Sequence, residues 1–415
     1  MSQRTSPRKP QDPDAGSGAP SPVTKSPRKA RKPSGADSPA PRKGRSKWRR
    51  FLHVVLVAVS VICGLGLVVS SYGGCLSPLK YGGYWGIAVL AMPLTLGAVL
   101  LMLLLQLFIW RRGALVPLLF LVICGGPVLD YCPLHVFNPS APKGARTLKV
   151  LSYNVYNFND FRPGESENSP RNRTLNTIIE SGADIVCLQE TEVLGPYGDN
   201  KIHREDIALL HKIYPYVIRT DTYLMLLSKY PVTPIHLEVN RRNFGADIGA
   251  YRLHLGEDMD VTVFNFHLAS LGLTSGDFAL YRDLTAGKTR RVDEMREVKR
   301  ELLSKVAAAN VERARQAEKL VRYIEHYGGP NVLVCGDFND VSNCYAIRRF
   351  EELGLREVYP EVGFGPIVTY NARRLYFGID HILYRGMFRP LSLKKGHVAS
   401  SDHYPVTTVF ELTDK

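Results

Sequence analysis

NVLVCGDFND, residues 331–340, has the pattern of a short buried strand that ends in polar side chains. Residues 332–335 are apolar and rich in β-branched side chains, and a glycine then interrupts the strand pattern before Asp337. The carboxylates and the amide of Asp337, Asn339 and Asp340 suit a metal-assisted or general-base site at the end of a sheet. An Asx turn that caps the strand explains this stretch equally well in isolation. The choice between these interpretations depends on the rest of the chain.

The N-terminal tail, residues 1–47, is rich in Ser, Pro, Lys, Arg and Gly and has almost no large apolar side chain. Such a segment cannot bury a core, so we expect it to be disordered. Residues 1–50 carry 14 Lys and Arg and three Asp, which places eleven of the fourteen net positive charges there. Because a hydrophobic segment follows directly, the tail is predicted to bind anionic lipid at the cytoplasmic face of a membrane.

Apolar runs after the tail predict a three-helix transmembrane anchor and linker at residues 48–145. Residues 51–70 and 85–110 each meet the requirement of roughly 20 apolar residues for a membrane span. The third run, 114–129, is shorter and contains Pro and Gly, so a re-entrant segment is an alternative there. A cleaved signal peptide is an alternative for the first run.

The orientation of this anchor follows from its basic residues. The tail and the pair Arg111 and Arg112 belong on the cytoplasmic side by the positive-inside rule. Three spans would then place the chain after residue 131 outside the cytoplasm. We therefore expect a multi-pass protein of the inner (cytoplasmic) membrane, in contact with the lipid bilayer, whose C-terminal domain is extracytoplasmic.

Residues 146–415, about 270 residues, are long enough for one large α/β domain. Strand-like runs occur at 147–155, 184–189, 222–228, 250–255, 260–267, 331–335, 379–384 and 405–412. Helical patterns occur at 171–181, 204–213, about 292–327 and 346–353. The alternation predicts a single α/β domain over residues 146–415.

Polar residues stand at the ends of several of these predicted strands. Those that follow a strand are Asn154, Glu190, His267 and Asp337, and those that begin or precede one are Asp380, Asp402 and His403. Each position has an ordinary structural interpretation, such as a cap. Their coincidence at strand ends indicates a shared site.

The ordered motifs resemble the endonuclease/exonuclease/phosphatase superfamily, the fold shared with deoxyribonuclease I, over about residues 147–412. The motifs are SYNV, LQE, FNFHL, GDFND, GIDHI and SDHYPV. The resemblance implies an α/β (α+β) fold, a four-layer αββα sandwich of two mixed β-sheets flanked by helices, here preceded by the N-terminal helical transmembrane anchor. The anchor looks like that of a membrane-attached bacterial branch.

The resemblance also implies a Mg²⁺ site, with Mn²⁺ as a possible substitute. Glu190 would be the principal ligand, with Asn154 and Asp402 completing or positioning a hard-oxygen site. These three residues are the predicted metal set.

The same resemblance implies catalytic roles for a second set of residues. Asp337 with Asn339 would orient or deprotonate the attacking water, and His403 would work with Asp380, whose carboxylate favours the imidazolium. His267 would lie at the scissile phosphate and stabilise charge or protonate the leaving oxygen. Whether Asp337 or His403 is the base stays open.

Some positions depart from the family pattern. Tyr156 stands where some nucleases of the family have an acid, and Gly378 stands where many members have Arg before the Ile-Asp pair. A second metal ligand at residue 156 is therefore not expected, and phosphate binding would be either weaker or supplied by Arg373 or Arg374.

These observations predict a membrane-anchored, divalent-metal-dependent phosphoesterase that hydrolyses phosphodiester or phosphomonoester bonds by metal-assisted water attack. Its substrate would be nucleic acid, a phospholipid head group or a small phosphodiester. A DNA-repair-type endonuclease/exonuclease is one alternative, disfavoured because an outward-facing site would not meet the chromosome. A non-catalytic membrane interaction module on the same fold is the other, disfavoured because the polar motif residues are all present.

Overall fold

The computed structural model describes residues 43–160, 172–191, 202, 204–220, 222–238, 247–256, 259–272, 276–277, 292–372 and 375–413. The predicted disordered tail lies outside the described residues as far as residue 42, and its last residues belong to the first helix. Arg373 and Arg374 also lie outside them. Arg50–Lys415 form one compact unit.

The first elements are helices rich in apolar residues. They are α1 (Lys43–Tyr72), α2 (Pro78–Tyr81), α3 (Tyr84–Leu90), α4 (Met92–Ile109), α5 (Leu115–Ile123) and α6 (Gly125–Tyr131). Among the described helices, two stretches are long and apolar enough to cross a membrane, Lys47–Cys75 and Met92–Ile109. The predicted third spanning helix is instead divided into α5 and α6, because the Gly-Gly-Pro run at 125–127 disfavours a continuous helix.

The long apolar helices α1 and α4 pack antiparallel, as contacts at both ends show. The ring of His53 stacks on Trp110 with centroids 4.5 Å apart at one end. At the other end, the hydroxyls of Ser70 and Thr95 lie 2.7 Å apart. The Tyr72 hydroxyl donates to the carbonyl of Ile123, 2.6 Å away. The α5–α6 segment therefore starts beside Trp110 and ends at the opposite end of the helix pair.

The remaining helices are α7 (Arg173–Ser181), α8 (Arg204–Ile213), α9 (Val292–Tyr327), α10 (Tyr345–Glu351) and α11 (Val358–Val362). The strands before α9 are β1 (Thr147–Asn154), β2 (Ile185–Gln189), β3 (Tyr216–Arg219), β4 (Met225–Ser228), β5 (Val232–Ile235), β6 (Asp247–His254) and β7 (Asp260–His267). Those after it are β8 (Val332–Asp337), β9 (Arg356–Glu357), β10 (Tyr370–Ala372), β11 (Leu375–Phe377), β12 (Asp380–Arg385), β13 (Phe388–Lys395) and β14 (Val406–Leu412).

These strands form two six-stranded sheets and one hairpin. The first sheet has the order β13-β14-β1-β2-β4-β3, the second has β5-β6-β7-β8-β12-β9, and β10 pairs with β11. Both large sheets are mixed, because β1 and β2 are parallel, as are β7 and β8, while the other pairs are antiparallel. The predicted strands all form, with ends that differ by a few residues.

Three apolar clusters show that the layers are stacked as helix, sheet, sheet and helix. One cluster lies between the sheets and includes Val150, Val263 and Leu333. A second joins the first sheet to α7 and α8, and a third joins the second sheet to α9 and α10. Alternating side chains of each strand therefore pack against opposite layers. The predicted four-layer αββα sandwich is confirmed.

The apolar helical segment is attached to this sandwich by polar contacts. Asn310 on α9 donates to the carbonyl of Gly83 (2.8 Å), and Asn343 donates to the carbonyl of Pro127 (2.9 Å). Arg348 on α10 pairs with Asp130 at 3.2 Å. Contacts thus cross residue 146, where the sequence places a domain boundary. That boundary stays a prediction.

Candidate active site

The sheet registers bring the predicted site residues to one edge of the sandwich. In the first sheet, Asn154 is paired with Gln189, so Glu190 follows directly beside it. In the second sheet, Asp337 is paired with both His267 and Asp380. Since β12 and β14 are antiparallel to β8 and β1, their first residues meet the last residues of those strands.

Asp337 lies at the centre of this group and is fully buried. Its Oδ2 accepts a hydrogen bond from Asn154 Nδ2 at 3.1 Å and lies 3.5 Å from His403 Nε2 and 3.6 Å from His267 Nε2. Its Oδ1 accepts from the backbone N–H of Asn339 at 2.8 Å. The Asx turn is therefore present, and it fixes a carboxylate whose other oxygen faces the shared site.

The amide of Asn154 connects the two sheets at the site. Its Oδ1 accepts from the backbone N–H of Tyr156 at 3.1 Å, so its Nδ2 must face the carboxylates. That nitrogen donates to Glu190 Oε1 at 3.0 Å and to Asp337. In this orientation Asn154 positions two carboxylates and does not present an oxygen to them. Its predicted place in the metal set stays a prediction.

His403 and Asp380 form a buried pair. His403 Nδ1 lies 2.9 Å from Asp380 Oδ2, and the backbone N–H of Asp380 donates to Thr369 Oγ1 at 3.1 Å. Burial lowers the pKa of His403, but the Asp380 and Asp337 carboxylates outweigh this effect and raise it to about 10. The pair therefore holds an imidazolium beside Asp337 at neutral pH.

Glu190 has a backbone conformation that a non-glycine residue rarely adopts. Its φ is 53°, and its carbonyl accepts from the N–H of Asn157 at 2.9 Å. His267 Nε2 lies 3.9 Å from Glu190 Oε1. The strained turn projects the Glu190 carboxylate toward Asn154 and His267.

A divalent cation fits the acidic part of this site. Asp402 lines the same cavity as Glu190, and its Oδ1 is buried without a hydrogen-bond partner among the described residues. Burial raises the pKa of Asp402; His403 lowers it, and the Glu190 and Asp337 carboxylates raise it further. Carboxylates crowded around an unpartnered buried oxygen are the kind of donor set that Mg²⁺ or Mn²⁺ stabilises.

A second arrangement could also hold a metal ion. The nearest ligand atoms of Asp337, Asp380 and His403 all lie within 4.8 Å of one another. One of the His403 nitrogens is already paired with Asp380. Hard cations such as Mg²⁺ prefer oxygen ligands, so the Glu190 and Asp402 side of the site suits them better.

The site opens into a cavity of about 420 Å³. Its polar lining consists of Glu190, His267, Ser270, Asp337, Asn339, Asp402 and His403. The remaining lining residues are Leu90, Tyr156, Leu271, Gly272, Tyr370, Ala372, Leu375, Phe377 and Ile379. Sequence reasoning missed Leu90, Tyr370 and Phe377. No short-range signal marks them, because they reach the cavity through packing between distant segments.

The two departures from the family motifs lie at or beside the site. Tyr156 lines the cavity in place of the acid that some nucleases of the family have. A Cβ at Gly378 would lie 2.8 Å from both Cγ2 and the carbonyl oxygen of Ile367, so the chain has no room for a side chain there. The proposal that Arg373 or Arg374 binds phosphate concerns residues outside the described part of the chain.

Fold and site together define an αββα sandwich of the phosphoesterase and nuclease type, with an acidic edge suited to a metal ion. Residues 151–403, more than half of the chain, match the model of the Endonuclease/Exonuclease/phosphatase family. The chain belongs to this family.

Solved structures are similar to this chain at low sequence identity. An endonuclease/exonuclease/phosphatase from Beutenbergia cavernae is 16% identical, with a TM-score of 0.41 and coverage of 65% of this chain and 72% of that one. D. rerio TDP2 complexed with single strand DNA product is 14% identical, with a TM-score of 0.38 and coverage of 64% of this chain and 99% of that one. The human Nocturnin catalytic domain with bound sulfate anion is 15% identical, with a TM-score of 0.40 and coverage of 68% of this chain and 96% of that one. No curated protein sequence matches the chain significantly.

Proposed function

We propose that this protein is a membrane-anchored phosphoesterase that requires Mg²⁺ or Mn²⁺ and hydrolyses phosphate esters by attack of water. The observation that carries the proposal is the convergence of acids, amides and histidines on one cavity. Glu190, His267, Asp337 and His403 all line it. A divalent cation bound by two carboxylates would offset phosphate charge, and histidines can exchange protons with the reacting oxygens.

Glu190 and Asp402 would hold the cation, and Asn154 fixes the orientation of Glu190. When bound, it supplies positive charge that polarises the phosphoryl group. Asn154 also hydrogen-bonds to Asp337, so the cation-binding and water-activating carboxylates are oriented by one amide. This arrangement resists independent movement of the two groups.

Asp337, positioned by the Asn339 turn, orients the attacking water and accepts its proton. The water oxygen forms the new bond to phosphorus while the bond from phosphorus to the ester oxygen breaks. His267 donates a proton to the departing oxygen, which leaves as an alcohol. The His403–Asp380 pair keeps positive charge next to Asp337 and the phosphoryl oxygens.

A panel of phosphate esters offered to the purified full chain in detergent tests this proposal. The panel contains p-nitrophenyl phosphate, bis(p-nitrophenyl) phosphate, single-stranded DNA and a phospholipid. We expect Mg²⁺- or Mn²⁺-dependent hydrolysis of at least one, and loss of it in Asp337→Ala. Cleavage of DNA alone would favour the nuclease alternative. Absence of any hydrolysis would favour the non-catalytic module and refute the proposal.

The proposal places the catalytic residues outside the cytoplasm. Arg50, Arg111 and Arg112 adjoin the stacked His53–Trp110 end of the apolar helices, and the Asp130–Arg348 pair belongs to the other end. This distribution supports a cytoplasmic location for the basic end. The basic tail would bind anionic lipid there.

Two measurements test this orientation in a bacterial inner membrane. A reporter that is active only in the periplasm should be active when fused after Lys415. Protease added to intact spheroplasts should degrade the catalytic part. Protection of that part, with a reporter active only in the cytoplasm, would overturn the orientation.

A further inference from the structure

One wall of the catalytic cavity comes from the apolar N-terminal helices. Leu90 is the last residue of α3 and lines the cavity together with Asp337 and His403. Only Ala91 separates it from α4, which begins at Met92 and is one of the two candidate membrane spans. A residue that lines the cavity therefore lies two positions before the start of that candidate span.

Leu90 belongs to a continuous apolar surface that reaches the catalytic pair. Val89 and Ile379 are buried in one cluster, against which Leu90, Tyr370 and Phe377 pack. The ring of Tyr370 lies 5.0 Å from the ring of His403, centroid to centroid. The apolar surface thus runs from His403 to the residue that precedes α4.

This wall is fixed in place by the packing of α3 on α9. A Cβ at Gly83 would collide with the backbone of Ala307, so the two segments approach as closely as a glycine permits. The Gly83 carbonyl accepts from Asn310 at 2.8 Å. The close packing of α3 on α9 and this hydrogen bond therefore hold Leu90 at the cavity.

From this geometry we infer that the substrate is a phosphate ester of a membrane lipid. The inference rests on the proposed phosphoesterase function and specifies its substrate class. The phosphate lies at the polar floor, while the adjoining apolar part of the lipid contacts Leu90, Tyr370 and Phe377 and continues into the bilayer beside α4. An apolar lining is ordinary for a ligand cavity. The specific observation is that this lining leads to a candidate span.

A water-soluble phosphate ester would not use this arrangement. Its phosphate and cation contacts are made at the polar floor, whereas an apolar wall stabilises only a substrate with apolar surface to bury. The preference for a lipid should therefore depend on wall residues and be separable from the chemistry of the floor.

The test compares two substrates on the full chain reconstituted in phosphatidylcholine vesicles. One set of vesicles contains long-chain phosphatidic acid and phosphatidylglycerol, and the other assay uses their deacylated counterparts, glycerol 3-phosphate and glycerophosphoglycerol, in solution. We expect kcat/KM on a lipid to exceed that on the soluble ester of the same type. Leu90→Ala should lower the ratio of these values about tenfold, because lost apolar contact in a pocket has effects of that order.

Two further variants make the result specific. Phe377→Ala removes apolar surface from the same wall on β11 and should lower the ratio in the same direction. Leu94→Ala is the matched control, because Leu94 is 77% exposed on α4 and is not among the residues that line the cavity. Its ratio should match that of the unaltered protein.

The outcomes separate the two claims. Hydrolysis of soluble esters without hydrolysis of lipid would overturn the lipid inference and leave the phosphoesterase proposal standing. An unchanged ratio in both Leu90→Ala and Phe377→Ala would do the same. No metal-dependent hydrolysis of any of the four substrates would overturn both.

Discussion

Asp380 and His381 are adjacent in β12 but serve opposite faces of the second sheet. Asp380 points to His403, whereas His381 Nδ1 lies 2.6 Å from Glu357 and Nε2 lies 2.9 Å from the carbonyl of Asp340. Successive side chains of a strand alternate in this way. The sequence motif GIDHI therefore contains one residue of the site and one residue that stabilises the fold behind it.

The Asp380–His403 pair should behave as one catalytic unit. Asp380→Asn removes the charge that stabilises the imidazolium, and we expect a loss of roughly hundredfold or more in kcat. His403→Ala should cause a similar loss, and the double variant should be little worse than either single one. Steady-state kinetics of the three variants measure this. Losses that multiply in the double variant would show that the residues act separately.

The positive φ of Glu190 should lower the stability of the protein, although its carboxylate is needed for activity. Relief of its positive φ in Glu190→Gly should raise the free energy of unfolding by about 1 kcal/mol relative to Glu190→Gln, while both variants lose activity. Denaturant unfolding in the presence of chelator measures the difference without metal binding. Equal stability of the two variants would show that the turn carries no strain.

The His381–Glu357 pair should make stability depend on pH. Both atoms that face the His381 ring nitrogens are acceptors, so both nitrogens carry hydrogen. Burial lowers the pKa of His381, but Glu357, the Asp340 carbonyl and Asp380 together outweigh this and raise it above its usual value. The resulting stability is complete below the unfolded pKa of about 6.5 and is lost as pH rises through the higher folded pKa.

Glu357→Gln tests this assignment. At about pH 6 the variant should be less stable by about 1–3 kcal/mol, because the buried imidazolium loses its charged partner. The difference should narrow toward alkaline pH, as unfolding curves across the range would show. If the difference in the free energy of unfolding between the two proteins did not change with pH, titration of His381 would not contribute to stability.

At the scale of elements, the central strands were predictable and the edge strands were not. β8 and β2 are fully buried, and each begins with four consecutive apolar residues. Of the six strands that were missed, β3, β5, β9 and β13 are the four edges of the two large sheets, and β10 and β11 form the separate hairpin. Edge strands are partly exposed and tolerate proline, which β5 and β13 both contain, so their sequence pattern is weak.

The docking of α3 is the element-scale contact with the clearest test. Gly83→Ala should destabilise the protein by about 1–3 kcal/mol, because its Cβ meets the backbone of Ala307. Gly97→Ala is the control, since a Cβ at that position meets nothing within 4 Å. Unfolding of both variants in detergent gives the comparison. Equal stability of the two would show that α3 is not packed tightly on α9.

At the scale of the whole molecule, the sandwich and its acidic edge were predictable from the sequence. The packing of the apolar N-terminal helices against the sandwich was not. Strand-end motifs are local and repeat a family pattern, so Asn154, Glu190 and Asp337 could be found without a structure. The contribution of Leu90 depends on contacts with segments more than 200 residues away in the chain, such as Ile379. No periodicity or composition encodes such contacts.

Metal-dependent turnover of the full chain tests metal-assisted hydrolysis at this edge most directly. The measurement titrates Mg²⁺ and Mn²⁺ against hydrolysis of bis(p-nitrophenyl) phosphate and the vesicle lipids, with the unaltered protein, Glu190→Gln and the control Glu205→Gln, whose side chain is exposed on α8. We expect turnover to require the metal, to fall at least about hundredfold in Glu190→Gln, and to be unchanged in Glu205→Gln. Turnover that persists in chelator, or that is equal in the two variants, would contradict the account.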